Sequence, residues 1–70
     1  MERQPVDSRG LREVGYDPQR RELEVQFRDR KVYRYSEVPE EVYRALLAAD
    51  SKGRYFNEQI KERYGYLRVG

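Results

Sequence analysis

The fold is decided by the stretch Glu22-Leu23-Glu24-Val25-Gln26-Phe27, in which polar and apolar residues alternate. A period of two places the apolar side chains on one face of a β-strand and the polar ones on the other. The polar triplet Arg28-Asp29-Arg30 interrupts the pattern, and the segment from Lys31 to Tyr35 resumes it. The two alternating segments predict a β-hairpin.

The length of the hairpin loop decides where Tyr33 and Tyr35 point. A two-residue turn would place both tyrosines on the polar face of the hairpin. A three-residue loop, residues 28–30, pairs Val25 with Tyr33 and places both tyrosines on the apolar face, with Arg34 on the polar one. We favour the three-residue loop because it gives one apolar and one polar face.

Another strand is predicted ahead of the hairpin, within residues 8–16. Val14 and Tyr16 share one face of it, while Leu11 is out of phase with them and indicates a bulge or an irregular start. The strand ends at Asp17-Pro18-Gln19-Arg20, a turn signal with proline at its usual second position.

Helical spacing replaces the alternation after Ser36. The first predicted helix runs from about residue 39 to residue 49 or 50, with Pro39 suited to its first turn. Ser51 is a suitable cap for a second helix, and Gly65 is a suitable C-terminal stop. The apolar stripe of the second helix is spaced by four and consists of Phe56, Ile60 and Tyr64.

The predicted fold class is α+β: a three-stranded antiparallel β-meander followed by two packed α-helices. A chain of 70 residues is expected to form one domain, which we place at residues 7–70. Residues 1–6 are polar, contain a proline and are expected to form a flexible N-terminal arm. The apolar residues of the C-terminal tail, Tyr66, Leu67 and Val69, should pack back on the domain.

The composition argues against several classes of function. The chain has no cysteine and no histidine, which disfavours zinc, haem and iron–sulfur sites, thiol nucleophiles and imidazole bases. The adjacent acids Glu40 and Glu41 would point about 100° apart on a helix, a poor arrangement for a shared acid/base site. We expect no enzyme activity, no metal and no cofactor. No apolar run is long enough for a membrane span and no signal peptide is evident, so the expected location is the cytoplasm.

Charge is unevenly distributed along the chain, although its formal net value is only +2. Residues 28–34 and residues 51–70 each carry a local charge of +3, whereas residues 36–50 carry −3. Arginines outnumber lysines twelve to three, and guanidinium groups suit bidentate phosphate contacts. Charge clusters are also common on ordinary solvated surfaces. The candidate RNA-phosphate contacts are Arg28, Arg30, Lys31, Arg34, Lys52, Arg54, Lys61 and Arg63.

The tyrosines allow two interpretations. Exposed Tyr33 and Tyr35 could hold unpaired bases by stacking. The preferred hairpin register instead turns both rings into the core and leaves Arg34 between them as the better contact candidate. Spacing constrains Tyr55 and Tyr66 less, and the core is the preferred place for both.

The segment Ser51-Lys52-Gly53-Arg54 also has two interpretations. Backbone amides at the start of a helix can bind an anion, so this segment could cradle a phosphate. Alternatively, it forms a tight corner between the helices, in which Ser51 caps, Gly53 allows close approach and Asn57 bonds to the loop. We favour the corner because it needs no ligand.

The order of elements, with Tyr33-Arg34-Tyr35 at the junction of sheet and helices, resembles the KTSC domain, a small bacterial and phage module. The resemblance covers nearly everything after residue 6. The stretches that carry it are Val14-Gly15-Tyr16, Leu23 to Phe27, Val32 to Tyr35, Val38-Pro39, Tyr43, Ser51 to Asn57, Ile60 and Tyr64. The family occurs at the C-terminus of some lysyl-tRNA synthetases and also as a stand-alone domain, and RNA binding is the role the resemblance implies.

One position departs from the family pattern. We expect glycine at the end of the hairpin loop, and this chain has Arg30. If the loop requires a positive φ there, the arginine costs on the order of 1 kcal/mol.

The function we expect is accessory, low-specificity binding of RNA, either tRNA or another structured RNA, through a basic face. The alternative is a protein–protein interaction module, in which apolar surface or a sheet edge receives a partner. Salt dependence separates the two, because phosphate contacts weaken steeply with salt and apolar contacts do not.

Overall fold

The computed structural model describes residues 1–70 and contains five strands and two helices. The elements in chain order are β1 (Gln4–Pro5), β2 (Leu11–Asp17), β3 (Glu22–Phe27), β4 (Val32–Tyr35), α1 (Glu40–Ala48), α2 (Lys52–Gln59) and β5 (Tyr66–Arg68). The strands form one antiparallel sheet in the order β1-β2-β3-β4-β5. The α+β class is therefore confirmed, with two more strands than the three predicted.

The hairpin of β3 and β4 has the register of the three-residue loop. Val25 lies opposite Tyr33, and the amide of Phe27 donates to the carbonyl of Lys31 across the loop at 3.0 Å. Arg30 has a φ of 72°, the left-handed conformation that favours glycine. The preferred register is confirmed, and Arg30 has the positive φ under which an arginine costs on the order of 1 kcal/mol.

The strand ahead of the hairpin is also confirmed, with its irregular start. Its register against β3 shifts between Leu11 and Glu13, and this shift lets Leu11 reach the core. At the other end of β2, the carboxylate of Asp17 accepts hydrogen bonds from the amides of Gln19 and Arg20 and closes the predicted turn.

The core lies between one face of the sheet and the two helices. Leu46 from α1 and Phe56 from α2 are buried against the apolar face of β2, β3 and β4, together with Ile60 just beyond α2. The fully or nearly fully buried members of this cluster are Leu11, Val14, Leu23, Val25, Tyr35, Val38, Leu46, Phe56 and Ile60. Neither helix has the length and apolar character needed to cross a membrane.

The second helix is shorter than predicted. It ends at Gln59, and residues 60–64 form a turn, so Tyr64 and Gly65 lie beyond the helix. The carbonyl of Gly65 accepts a hydrogen bond from the amide of Ser36 at 2.9 Å. This bond brings the chain to the end of β4, where β5 begins.

Two strands were missed because their signals are short. Residues 1–6, expected to be a flexible arm, include β1, in which Gln4 lies opposite Val14 of β2. The C-terminal tail was expected to pack back on the domain, and it does so as β5 beside β4. However, Tyr66 and Leu67 remain 55% and 72% exposed, so the preference for Tyr66 in the core was wrong.

The face of the sheet opposite the helices carries a buried carboxylate. Glu24 is 5% exposed and lies between two arginines, Arg3 at 3.0 Å and Arg34 at 3.1 Å. Arg3 also contacts Glu13 at 3.2 Å. A buried charge is tolerated only when it is paired in this way, so the N-terminal segment contributes to the outer face of the sheet.

Gly15 allows the N-terminal segment to cross this outer face. A Cβ built at Gly15 would lie 2.4 Å from the carbonyl oxygen of Glu2 and 3.0 Å from Cγ of Arg3. The backbone at residues 2–3 must therefore shift in Gly15→Ala, which disturbs the contact between Arg3 and Glu24. We expect a loss of about 1–3 kcal/mol in the free energy of unfolding, measured by urea denaturation.

Gly10→Ala is the matched control for this substitution. A Cβ at Gly10 meets nothing within 4 Å, so it should change the stability by less than about 0.5 kcal/mol. Equal stability of the Gly15→Ala and Gly10→Ala proteins would contradict the close packing of the N-terminal segment on the sheet.

Candidate nucleic-acid interface

The loop between β3 and β4 separates two depressions on the surface. One is a groove of about 640 Å³, which we call the tyrosine groove. The other is a polar cleft of about 520 Å³ formed by residues 7–10, Arg28 and residues 50–53. Arg28 lies at the cleft and Lys31 at the groove, so the basic loop of the hairpin contributes to both.

The tyrosine groove runs between the β4–β5 edge of the sheet and the end of α2. Its aromatic lining consists of Phe27, Tyr33, Tyr35, Phe56, Tyr64 and Tyr66. Cross-strand pairing explains part of this cluster, because Tyr66 of β5 lies directly opposite Tyr35 of β4. The ring of Tyr66 is 5.4 Å from that of Tyr35 and 5.5 Å from that of Tyr33 between centroids.

The inner wall of the groove consists of aromatic rings packed edge to face. Phe56 meets Phe27 edge to face at 5.3 Å and Tyr35 at 5.4 Å, and Phe27 meets Tyr33 at 5.6 Å. Such edge-to-face pairs stabilise by about 0.5–1.5 kcal/mol beyond the area that they bury. Tyr33 and Tyr35 thus pack in the apolar layer, as the preferred register predicted, and both also line the groove.

Polar groups form the rim of the groove. Lys31 lies 3.6 Å from the carboxylate of Asp29, a weak surface ion pair. Lys61 and Glu62 follow α2, and Lys61 makes no ion pair within the chain. Asn57 projects from α2 and is exposed. The rim therefore offers one free ammonium group and one free amide to a ligand.

Tyr35 is the most deeply placed polar residue of the groove. It is 3% exposed, and its hydroxyl has no hydrogen-bond partner in the chain. Burial, and then the neighbouring phenols of Tyr66 and Tyr33, raise the pKa of Tyr35 to about 12. At neutral pH this hydroxyl is therefore a neutral donor and acceptor at the floor of the groove.

The raised pKa of Tyr35 predicts a loss of stability in alkali. Below about pH 10 the phenol is protonated in both the folded and the unfolded chain. Between pH 10 and 12 the unfolded chain ionises first, so stability falls by about 2 kcal/mol as the pH rises towards the folded pKa. The urea midpoint followed by circular dichroism at about pH 9 and pH 11.5 measures this fall. In Tyr35→Phe the fall should be smaller by about that amount, whereas equal falls in both proteins would contradict it.

Arg34 lies away from the other candidate phosphate contacts. It lies on the outer face of the sheet, as predicted, but its guanidinium donates to Glu24 and its Nε is buried without a partner. The sheet separates Arg34 from α2 and from the tyrosine groove. It is the better contact candidate in the sequence because it faces outwards between the two tyrosines, and the sequence does not show that Glu24 becomes buried beside it. Reversing the charge of Arg34 would place two carboxylates together and would disturb folding.

The remaining candidates of α2 face different ways. Arg54 of α2 pairs with Glu58 at 3.2 Å, and Arg63, in the turn after α2, donates to the carbonyl of Glu58 at 3.3 Å; both side chains are exposed. Lys52 lies at the polar cleft and donates to the carbonyl of Ala49.

The segment between the helices has only some of the features expected of a tight corner. The hydroxyl of Ser51 accepts a hydrogen bond from the amide of Arg54, which confirms the predicted cap. A Cβ at Gly53 would lie an ordinary 3.8 Å from Ser8, so close approach does not require glycine there. Asn57 makes no hydrogen bond to the loop, contrary to the expectation, and lies at the groove instead.

The groove itself was missed from the sequence. Tyr64 lies beyond the helix that was predicted to contain it, and Tyr66 belongs to a strand that was not predicted. The signal that could have revealed them is the alternation of Tyr64-Gly65-Tyr66-Leu67-Arg68, which is too short to distinguish a strand from a loop.

Comparisons with known proteins agree on one family. The family model described as "KTSC domain" matches residues 7–64. A protein from Stutzerimonas stutzeri (strain A1501) is 49% identical over 70 residues, covering 99% of each chain. A protein from Tsukamurella paurometabola is 44% identical over 61 residues, covering 87% of this chain and 91% of its own.

A solved structure agrees with the fold as well. The crystal structure of a KTSC domain protein from Yersinia pestis superposes with a TM-score of 0.95 at 42% identity, covering 99% of this chain and 97% of that one. Sequence and fold therefore lead to the same conclusion: this chain belongs to the KTSC domain family.

Proposed function

We propose that this protein is a small accessory RNA-binding domain that contacts RNA with low sequence specificity. The observation that carries the proposal is the position of the β3–β4 loop. Arg28, Arg30 and Lys31 lie on this loop between the two depressions, with Lys52 at the polar cleft and Lys61 at the tyrosine groove. We call these five side chains the basic rim.

The distribution of charge over the rest of the domain supports RNA binding at the basic rim. The acidic residues Glu37, Glu40 and Glu41 lie at the start of α1, which is tied to the β2–β3 turn by a bond from the amide of Val38 to the carbonyl of Arg21 at 2.8 Å. Because β3 runs from that turn to the β3–β4 loop, the acidic end and the basic rim are at opposite ends of the strand. The β2–β3 turn also carries Arg20 and Arg21, so the difference in charge between the two ends is partial, and an RNA molecule would be attracted more strongly to the basic rim.

The chemistry of the basic rim fits phosphate contacts more than base readout. Arg30 and Lys31 are exposed on a short loop, where they can adjust to a phosphate backbone. Arginine donates in pairs to phosphate oxygens, and lysine acts as a point charge. Contacts of this type bind RNA with little dependence on sequence. Such a role would place the protein in the cytoplasm with tRNA and other structured RNAs.

Fluorescence anisotropy with bulk tRNA tests this proposal. We expect micromolar binding at about 50 mM salt that weakens at least about tenfold at 200 mM, because counterions are released from the contacted phosphates. Absence of binding at the lower salt concentration would contradict the proposal. Binding that does not change with salt would also contradict it.

A second candidate function is supported by the exposed edge of the sheet. β5 is an edge strand, and Tyr66, Leu67 and Val69 are 55%, 72% and 44% exposed. Exposed apolar side chains on an edge strand suit a protein partner that adds a strand. Binding through this edge would be insensitive to salt, which separates it from the first proposal.

A further inference from the structure

We propose that the tyrosine groove binds one unpaired base of RNA, stacked on the ring of Tyr66. The inference rests on the proposed function and deepens it, because it specifies single-stranded segments, such as loops and ends, as the part of the RNA that is recognised. A base that is paired within a duplex could not enter the groove.

Tyr66 supplies an open aromatic surface. Its ring leans on Tyr35 and Tyr33 with interplanar angles of 37° and 53°, which fix its position, yet the residue remains 55% exposed. An aromatic ring that is held on one side and open on the other is suited to stack with a base. The volume of the groove, about 640 Å³, lies within the range of small-ligand sites.

Polar groups inside the groove suit the edge of a base. The hydroxyl of Tyr35 has no partner in the chain, although the residue is almost completely buried. The hydroxyl itself is open to the groove, since the only sealed polar atom without a partner is Nε of Arg34, so the hydroxyl is available to a ligand there. Asn57 adds an amide that can both donate and accept.

Two lysines beside the tyrosine groove provide positive charge for the phosphates that flank a bound base. Lys31 and Lys61 both line the groove, from the β3–β4 loop and from the turn after α2. A base that enters the groove brings its flanking phosphates to this rim. The acidic groups Asp29 and Glu62 also lie there, so the site favours a base with few phosphates over a dense polyphosphate.

The test compares two RNA probes in anisotropy titrations of the full chain. One is an unstructured single strand of about 12 nucleotides, and the other is a duplex of the same length. We expect the wild-type protein to bind the single strand at least about tenfold more tightly than the duplex. Tyr66→Val removes the ring but keeps a good strand former, and it should weaken single-strand binding by about tenfold without affecting the duplex.

Two control variants are available on the same strand. Tyr66→Phe keeps the ring and should bind like the wild type. Leu67→Val changes a side chain that points to the opposite face of the sheet, since Leu67 lies opposite Arg34, and it should have no effect. A thermal melt of each variant confirms that it is folded.

The outcomes separate this inference from the proposed function. Equal binding of the single strand by the wild type and by folded Tyr66→Val would overturn the base site and leave RNA binding intact. Equal binding of duplex and single strand by the wild type would also overturn the base site and leave RNA binding intact. No binding to either probe would overturn the proposed function and the base site together.

Discussion

Replacing Phe56 by alanine is expected to cost about 3–5 kcal/mol of the free energy of unfolding. Phe56 is 2% exposed and contacts the rings of Phe27 and Tyr35 edge to face, so the substitution opens a cavity at the centre of the aromatic layer. A domain of 70 residues has a total stability of about 4–10 kcal/mol. The substitution is therefore expected to remove about half of the stability of the domain.

Urea denaturation followed by circular dichroism measures this effect, with Phe56→Leu and Leu67→Ala as controls. Phe56→Leu keeps most of the buried volume and should cost much less than the alanine variant. Leu67 is 72% exposed, so truncating it should change the stability by less than about 0.5 kcal/mol. A loss below about 1 kcal/mol in Phe56→Ala would contradict the aromatic layer as the centre of the fold.

Reversing the two lysines of the tyrosine groove is expected to have the largest effect on RNA binding. Lys31→Glu with Lys61→Glu replaces two proposed phosphate contacts by repulsion, and we expect tRNA affinity at low salt to fall by about 100-fold or more. The slope of log affinity against log salt should become shallower by about 1–2. Both side chains are exposed, so the fold should be retained.

A second double variant controls for net charge. Arg20→Glu with Arg44→Glu also lowers the formal net charge of +2 by four, but it changes the turn between β2 and β3 and the outer side of α1. It should weaken binding by less than about fivefold, through the general field alone. Equal losses in the two double variants would mean that net charge, and not the basic rim, determines binding.

The elements that the sequence predicted correctly have local signals. The alternation from Glu22 to Phe27 determines which face is apolar, and the three-residue loop follows from keeping Tyr33 on that face. The cap at Ser51 and the stripe of Phe56 and Ile60 are local in the same way. Because these patterns lie within a few residues, a single sequence was enough to place the hairpin and both helices.

The elements that were missed depend on contacts between distant residues. β1 has two residues, one of them a proline, and exists only because it lies against β2. β5 pairs with a strand about 30 residues earlier, opposite Tyr35, and nothing within its own three residues predicts that partner. Tyr66 could not be placed without that pairing, and neither could the groove that it lines.

The basic candidate residues show the same difference between local signals and contacts with distant residues. The sequence placed Arg34 on the outer face of the hairpin, and the structure confirms this. It did not show that Arg3, 21 residues before Glu24, helps to bury that carboxylate between two guanidinium groups. Arg34 is therefore occupied in an ion pair, while Lys61, an equal member of the original set, lies free at the groove.

The most direct test of RNA binding at the basic rim and the tyrosine groove is a nuclear magnetic resonance titration. Amide resonances of the 15N-labelled protein would be followed while an unstructured single-stranded RNA is added. The account predicts shifts concentrated in residues 28–33, 52, 57, 61 and 64–66. Shifts confined to α1 and the outer face of the sheet, or no shifts at all, would contradict it.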